Sequence, residues 1–287
     1  MTKCHDFHFY FDFTKQSALF EQNIHKYHRM YSFQNLITKI QNSKPIDFGD
    51  LFNTSLNLFK KVWLQGFLLQ LLSIIIMLPF IILCYMPYFN MVLENSSNGV
   101  MDSVALSQAL VDEYGASLVW IYLLMLAVSV ASSLLYLGFY KIVKAMDHGE
   151  LFVISDFFYF FKAPYVGKAI VFLLAYLGIT ILAALLCLFP LIYVIVPLLF
   201  MLPFFVYNTH LSNLEIIKLA FSLGHKKWGL TFLTLILNSI LLYVVILVTC
   251  GLGSLFFSFF LYLPQYIIYK KVIGFETPES TFQELDS

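Results

Sequence analysis

Charged residues are scarce in this chain. Aspartate, glutamate, lysine and arginine make up 12% of the 287 residues, whereas 60% are hydrophobic. An ordinary soluble domain carries about 25% charged residues. Basic and acidic residues are equal in number, with 17 of each, so no excess of positive charge attracts nucleic acid and no nucleic-acid partner is expected. The composition predicts an integral membrane protein.

The sequence also lacks the signatures of catalysis and of metal binding. It contains no G-x-S-x-G, H-E-x-x-H, P-loop or Rossmann motif. Its four cysteines form no C-x-x-C pair, and neither the group of Cys4, His5 and His8 nor the pair His25 and His28 has the spacing of a zinc site. We therefore expect no enzymatic activity, no bound metal and no cofactor.

What the chain does have is a series of long apolar runs. A helix needs about 20 apolar residues to cross the hydrocarbon core of a bilayer. On that criterion the sequence predicts six membrane-spanning helices, in an all-α polytopic protein built from three transmembrane hairpins. The predicted spans lie at about 64–85, at 117–140, twice within 167–207 with a tight turn between them, at 229–248, and at 255–269.

The spans divide the chain into three regions. Residues 1–46 are predicted to be a weakly structured N-terminal region, residues 47–271 the six-helix transmembrane domain, and residues 272–287 a polar tail. The N-terminal region has no uninterrupted apolar segment, so we expect no cleaved secretory signal. A translation start at Met30 is a further hypothesis about this region.

Two stretches share one amphipathic pattern. When Asp50 is aligned with Glu215, the polar positions fall at i, i+3, i+7 and i+10 in both copies, and Trp63 coincides with Trp228. This spacing places the polar residues on one stripe of a helix. Such a helix is expected to lie in the headgroup plane with its apolar face down. A weaker third copy at 155–165 completes the prediction of one interfacial helix before each hairpin.

The basic residues predict the orientation. All 17 lie before the first span, between spans two and three, between spans four and five, or after span six. The opposite loops hold no basic residue, and the longest of them carries Glu94, Asp102, Asp112 and Glu113. Because cytoplasmic loops are enriched in lysine and arginine, both termini are predicted to be cytoplasmic.

Two kinds of candidate functional residue follow from this arrangement. Basic and aromatic residues that end an amphipathic stretch are predicted to contact lipid or a partner at the interface. Asn238 lies deep in the fifth span, where a side-chain amide needs a hydrogen-bonding partner, either on a neighbouring helix or on a substrate. The interface candidates are Lys60, Lys61, Trp63, Lys226, Lys227 and Trp228.

Two functions remain open at this point. The first is a non-catalytic membrane protein that acts by associating with lipid or with a second membrane protein. The alternative is a transporter or exporter of a small hydrophobic or lipid-like substrate, for which the freed carbonyls near Pro190, Pro197 and Pro203 would line a cavity. Ion coupling is not expected, since no ionisable residue lies in the middle of a span. An intramembrane enzyme would need ionisable groups that converge in space, and the spans offer none.

The segments IDFGDLFNTSLNLFKKVW and PLLFMLPFFVYNTHLSNLEIIKLAFSLGHKKWG resemble a broad group of bacterial six-span proteins of uncharacterised function. These proteins are related to the membrane domain attached to some glycerophosphodiester phosphodiesterases. The resemblance covers about 46–271 and implies a multi-pass protein of the bacterial inner membrane. It carries over no catalytic residue, because the metal-binding glutamates and histidines of the phosphodiesterase domain have no counterpart in this sequence.

Overall fold

The computed structural model describes residues 29–97, 118–186 and 188–275. Within these ranges the chain is helical and contains no β-strand. Five of the helices are long and apolar enough to cross a membrane. The protein is therefore a polytopic all-α membrane protein.

Within each described range the helices follow one another with short connections. In chain order they are α1 at 29–41, α2 at Phe48–Ser97, α3 at Leu118–Asp147, a 3-10 helix at Ile154–Phe161, α4 at Ala163–Leu185, α5 at Leu188–Tyr207, α6 at Asn213–Lys226, α7 at Trp228–Val248, α8 at Ser254–Phe257, a second 3-10 helix at Ser258–Tyr262, and α9 at Leu263–Val272. The candidate spans are α2, α3, α4, α5 and α7. The predicted division of 167–207 into two helices is confirmed.

Helix α2 is one continuous element of 50 residues. At 1.5 Å per residue it is roughly 75 Å long, more than twice the ~30 Å thickness of a hydrocarbon core. The structure differs here from the prediction, because the first amphipathic stretch is not a separate surface helix: it belongs to the same continuous helix as the first span and precedes that span. Gly66 follows Trp63 by three residues but does not end the helix; a Cβ atom on it would overlap the Phe259 ring, so the glycine gives that ring room.

The structure also differs from the prediction at the sixth predicted span. Residues 254–272 form α8, a 3-10 helix and α9 in succession, not one long helix. Within α9 every residue from Leu263 to Tyr269 is buried, as expected for a helix that is enclosed by protein on all sides. Pro264, which cannot donate a backbone hydrogen bond, stands at the start of α9. This part of α9 therefore belongs to the protein core, whereas Phe256 in α8 is 40% exposed.

This last segment runs antiparallel to the first half of α2. The Phe256 ring stacks on Phe67 with centroids 4.7 Å apart, and the Phe260 ring meets Phe59 edge-on at 5.6 Å. Farther along, Lys271 forms an ion pair with Asp50. The C-terminal segment thus returns along α2 to the end of the bundle where α2 begins.

Helix α6 packs against α5. A Cβ atom placed on Gly224 would lie 2.6 Å from the Pro197 Cα atom, so the two backbones are in contact. The apolar face of α6 is covered by protein: Ile216, Leu219, Ala220 and Leu223 are buried. The prediction that this apolar face lies on lipid is therefore wrong. The helix itself is confirmed.

An aromatic core joins the elements at this end of the bundle. The Tyr207 hydroxyl on α5 donates a 2.7 Å hydrogen bond to the Tyr140 carbonyl on α3. The side-chain nitrogen of the next residue, Asn208, donates a 2.8 Å hydrogen bond to the Tyr269 hydroxyl on α9. These bonds fix the ends of α3, α5 and α9 relative to one another. They also position the charged residues that follow.

Candidate functional site

Four ion pairs among the described residues lie at one end of the bundle, which we call the charged end. They are Lys271 with Asp50, Lys270 with Asp147 at 2.6 Å, Lys141 with Asp156 at 2.9 Å, and Arg29 with Glu215 at 3.6 Å. Each pair joins two different elements. The charged end therefore includes the beginnings of α1, α2 and α6 and the ends of α3 and α9.

The beginning of α6 is held by a capping box. The Glu215 backbone N–H donates to the Ser212 hydroxyl, and the Glu215 carboxylate accepts bonds from the Ser212 backbone N–H at 2.8 Å and from its hydroxyl at 2.7 Å. Partial burial acts to raise the pKa of Glu215. The bonds from Ser212 and the positive charge of Arg29 outweigh it, so the pKa lies below its ordinary value. The carboxylate is thus kept ionised at neutral pH.

Asp156 has a similar role in the 3-10 helix before α4. Its carboxylate accepts bonds from the Lys141 ammonium and from the Val153 backbone N–H at 3.1 Å. Burial acts to raise the pKa of Asp156, but these two donors lower it below the ordinary value. This residue connects α3 to the start of the α4–α5 hairpin.

The exposed side chains of α2 change character at Trp63. Before this residue the exposed positions are glycine or polar, namely Gly49, Asp50, Asn53, Asn57, Lys60 and Lys61. From Leu64 onward the exposed residues are almost all apolar, and they include Leu71, Ile74, Ile75, Met77 and Leu78. Because the bilayer core admits apolar surface and excludes polar surface, the change locates the edge of the membrane near Trp63.

Three of the predicted interface residues lie at this edge. Lys60 and Lys61 are exposed, and the Trp63 side chain is 48% exposed. Tryptophan is enriched at the membrane–water interface, where its ring lies at headgroup level. The first turns of α2 extend on the polar side of this edge, and their apolar residues Leu51 and Leu58 are buried in the protein.

The second group of predicted interface residues is divided by the structure. Lys226 is exposed. Lys227 is only 7% exposed and donates from its ammonium group to the Lys44 carbonyl oxygen at 2.5 Å. Burial, assisted by the charge of Lys226, lowers the pKa of Lys227. Trp228 is partly buried, and its ring nitrogen donates a 3.1 Å hydrogen bond to the Tyr193 carbonyl oxygen.

Asn238, the predicted intramembrane polar residue, is 1% exposed in α7. Its side-chain oxygen has no hydrogen-bonding partner among the described residues. The same is true of the Thr231 hydroxyl on α7, of the Gln65 oxygen on α2 and of the Gln265 oxygen on α9. A buried amide oxygen without a partner is uncommon in proteins. These groups are therefore candidates for contact with a ligand or a bound water molecule.

A pocket of about 470 Å³ opens at the charged end, between the α1–α2 connection and the end of α9. It contains three lysines and two aspartates. No sequence pattern predicts it, because Asp50 on one side and Lys271 on the other are 221 residues apart in the chain. Its lining residues are Lys39, Asn42, Ser43, Lys44, Pro45, Ile46, Asp47, Asp50, Lys271 and Val272.

Two sets of sequence observations lie outside the described residues. They are the histidines and the cysteine between Cys4 and His28, and the acidic residues Asp102, Asp112 and Glu113. Among the residues that the structure does describe, no group of three or more histidine, cysteine, aspartate or glutamate side chains is arranged to hold a metal ion.

Comparison of the chain with protein families, with curated proteins and with solved structures finds no match. The fold and the charged end define the chain as a multi-pass membrane protein with a structured, charged region at one end. Its relationship to the membrane domain of the phosphodiesterases stays a prediction.

Proposed function

We propose that this chain is a non-catalytic protein of the bacterial inner membrane that associates with anionic lipid where α2 enters the bilayer. The observation that carries the proposal is the change of exposed surface at Trp63, with Lys60 and Lys61 directly before it. Lysines at headgroup level attract anionic lipids by about 1 kcal/mol each. From the positive-inside rule we predict that this end of the bundle is cytoplasmic.

The carboxylates of the charged end support a non-catalytic role. Asp50, Asp147, Asp156 and Glu215 each form an ion pair with a lysine or arginine of another element. General acid–base catalysis requires a carboxylate whose pKa lies near the working pH. For Asp156 and Glu215 the pKa lies below its ordinary value instead. These groups stabilise the fold and hold the charged end together.

The proposal is tested by lipid retention. The Lys60→Gln/Lys61→Gln variant is compared with wild type and with the charge-matched Lys162→Gln/Lys218→Gln variant, which removes two exposed lysines of other elements, in native mass spectrometry after gentle extraction. Loss of two lysines that contribute about 1 kcal/mol each is expected to weaken the affinity of the Lys60→Gln/Lys61→Gln variant for phosphatidylglycerol by up to roughly 30-fold at low salt. The control variant is expected to retain the lipid as wild type does. Equal retention by all three proteins would contradict the proposal.

The alternative function is transport of a small hydrophobic or lipid-like substrate. It is favoured by the buried oxygens of Gln65 and Asn238, which have no partner among the described residues. If Asn238 contacts a substrate, Asn238→Leu abolishes retention of that molecule while the protein stays folded. If it contributes only to helix packing, Asn238→Leu leaves bound molecules unchanged and the thermal stability unchanged or higher, since an unpartnered buried amide is replaced by an apolar group. Ser239→Ala, at an exposed neighbouring position, is the control.

A further inference from the structure

The pocket at the charged end has a favourable position for a ligand that comes from water. Asp50, in its lining, is 13 residues before Trp63 on the same continuous helix. The rise of an α-helix gives a separation of roughly 20 Å along the axis of α2. The exposed residues between them include Asn53, Asn57 and Lys60, which are all polar. The pocket therefore faces the aqueous phase.

The charges in the pocket are unevenly neutralised. Asp50 is paired with Lys271, and the Asp47 carboxylate accepts the Asp50 backbone N–H at 2.9 Å, at the beginning of α2. Both carboxylates thus have positive partners, because a helix N-terminus carries partial positive charge. Lys39 and Lys44 have no carboxylate partner among the described residues. The pocket has a surplus of one positive charge, three lysines against two aspartates.

Neutral donors stand beside these lysines. Ser43 lines the pocket, and its hydroxyl oxygen is shielded from solvent without a hydrogen-bonding partner among the described residues. The Asn42 side chain contributes an amide at the same place. Ammonium groups together with hydroxyl and amide donors are the groups that bind phosphate oxygens. A volume of about 470 Å³ falls within the range of small-molecule sites.

The α1–α2 connection is also held in place, which favours a preformed site. Lys227 donates to the Lys44 carbonyl from the end of α6, while Ile40, just before the connection, is buried. The side chain of Lys44 is exposed. The backbone of the α1–α2 connection is therefore fixed, while the Lys44 ammonium group is free to contact a ligand.

We propose that this pocket binds a water-soluble, phosphate-bearing small molecule, with Lys39 and Lys44 as its charged ligands and Ser43 as a neutral one. The site is distinct from the lipid contacts near Trp63, although both rest on a membrane edge at that residue. A lipid headgroup held at the membrane edge lies too far along α2 to reach it.

The test uses inorganic pyrophosphate as the probe and the full chain in nanodiscs of phosphatidylcholine. Isothermal titration is expected to show saturable binding with one site per chain. Lys39→Gln/Lys44→Gln is expected to weaken it at least 10-fold, and Ser43→Ala by a smaller factor. Lys162→Gln/Lys218→Gln, which removes two exposed lysines outside the pocket, is the charge-matched control and is expected to bind as wild type does.

Three results would overturn the proposal. If the wild-type protein shows no saturable binding of pyrophosphate, the pocket is not a binding site. If both double variants bind equally weakly, the binding is general electrostatic attraction and not recognition by the pocket. Displacement of pyrophosphate by an equal concentration of short-chain phosphatidylglycerol would assign the pocket to a lipid headgroup instead of a soluble ligand. Lipid retention by Lys60 and Lys61 is measured separately, so a failure of one proposal is distinguished from a failure of the other.

Discussion

Lys227 donates a hydrogen bond from its ammonium group to the Lys44 carbonyl oxygen at 2.5 Å. The bond connects the start of α7 to the segment that precedes α2, 183 residues earlier in the chain. The sequence pattern predicts lipid contact for Lys227 and its neighbour Lys226 alike. The structure gives the two lysines different environments, and that difference is testable.

Replacement of Lys227 by methionine keeps an unbranched side chain that matches the lysine up to its terminal ammonium group, and it removes the donor. A hydrogen bond to a charged group contributes about 1.5–3 kcal/mol, and the burial that lowers the pKa of Lys227 offsets part of it, so we expect Lys227→Met to destabilise the protein by about 1 kcal/mol. Lys226→Met, at the exposed neighbouring position, is expected to change stability by less than about 0.5 kcal/mol. Thermal melting in detergent measures both variants. Similar melting temperatures for the two would mean that the bond to Lys44 contributes nothing.

The contact between α5 and α6 predicts that Gly224 does not accept a larger residue. A Cβ atom there would lie 2.6 Å from the Pro197 Cα atom, so Gly224→Ala forces the helices apart and is expected to cost about 1–3 kcal/mol. Gly229 has no atom within 4 Å of the corresponding position. Gly229→Ala is therefore expected to be neutral or stabilising by up to about 1 kcal/mol.

The same pair of variants tests where the apolar face of α6 lies. If that face rested on lipid, fluid acyl chains would accommodate the extra methyl group, and Gly224→Ala would melt at the wild-type temperature. A lower melting temperature for Gly224→Ala alone agrees with the packing against Pro197.

The capping box at the start of α6 predicts a dependence of stability on pH. The folded-state pKa of Glu215 lies below its ordinary value of 4.5. The stabilisation is therefore present above about pH 4.5 and is lost as the pH falls through the lower, folded-state value. Glu215→Gln is expected to lower stability by about 1 kcal/mol at neutral pH and to reduce the loss of stability on acidification. Melting curves from pH 7 to pH 3 measure this. Parallel pH profiles for the variant and the wild type would contradict the assignment.

Local patterns predicted several elements well. The apolar run at 229–248 agrees with α7, and the glycines that follow it form the predicted turn, where Gly251 has a φ of 94°. The amphipathic period alone predicted α6, and the capping box of Ser212 and Glu215 is a further local signal, unused in that prediction, which marks where the helix starts.

Tertiary contacts decided the rest. The two amphipathic copies share one pattern, yet α2 continues through Trp63 while the second copy is interrupted at Lys227, whose side chain is bound by a distant carbonyl. The apolar segment that includes α9 has the composition of a span, but its residues from Leu263 to Tyr269 are buried by neighbouring elements. The pocket depends on Asp50 and Lys271, 221 residues apart. None of these relationships is encoded within a single helical turn.

The location of the membrane edge at Trp63 underlies both the lipid contacts and the aqueous pocket. The most direct test is a measurement of depth by electron paramagnetic resonance, with single spin labels on a protein whose four cysteines are replaced by serine. We expect labels at Asn53→Cys and Asn57→Cys to be accessible to a water-soluble nickel chelate. Labels at Ile75→Cys and Leu78→Cys are expected to be accessible to oxygen dissolved in the lipid. If the labels at 53 and 57 reported headgroup depth instead, the first turns of α2 would lie in the membrane surface, and a membrane edge at Trp63 would be contradicted.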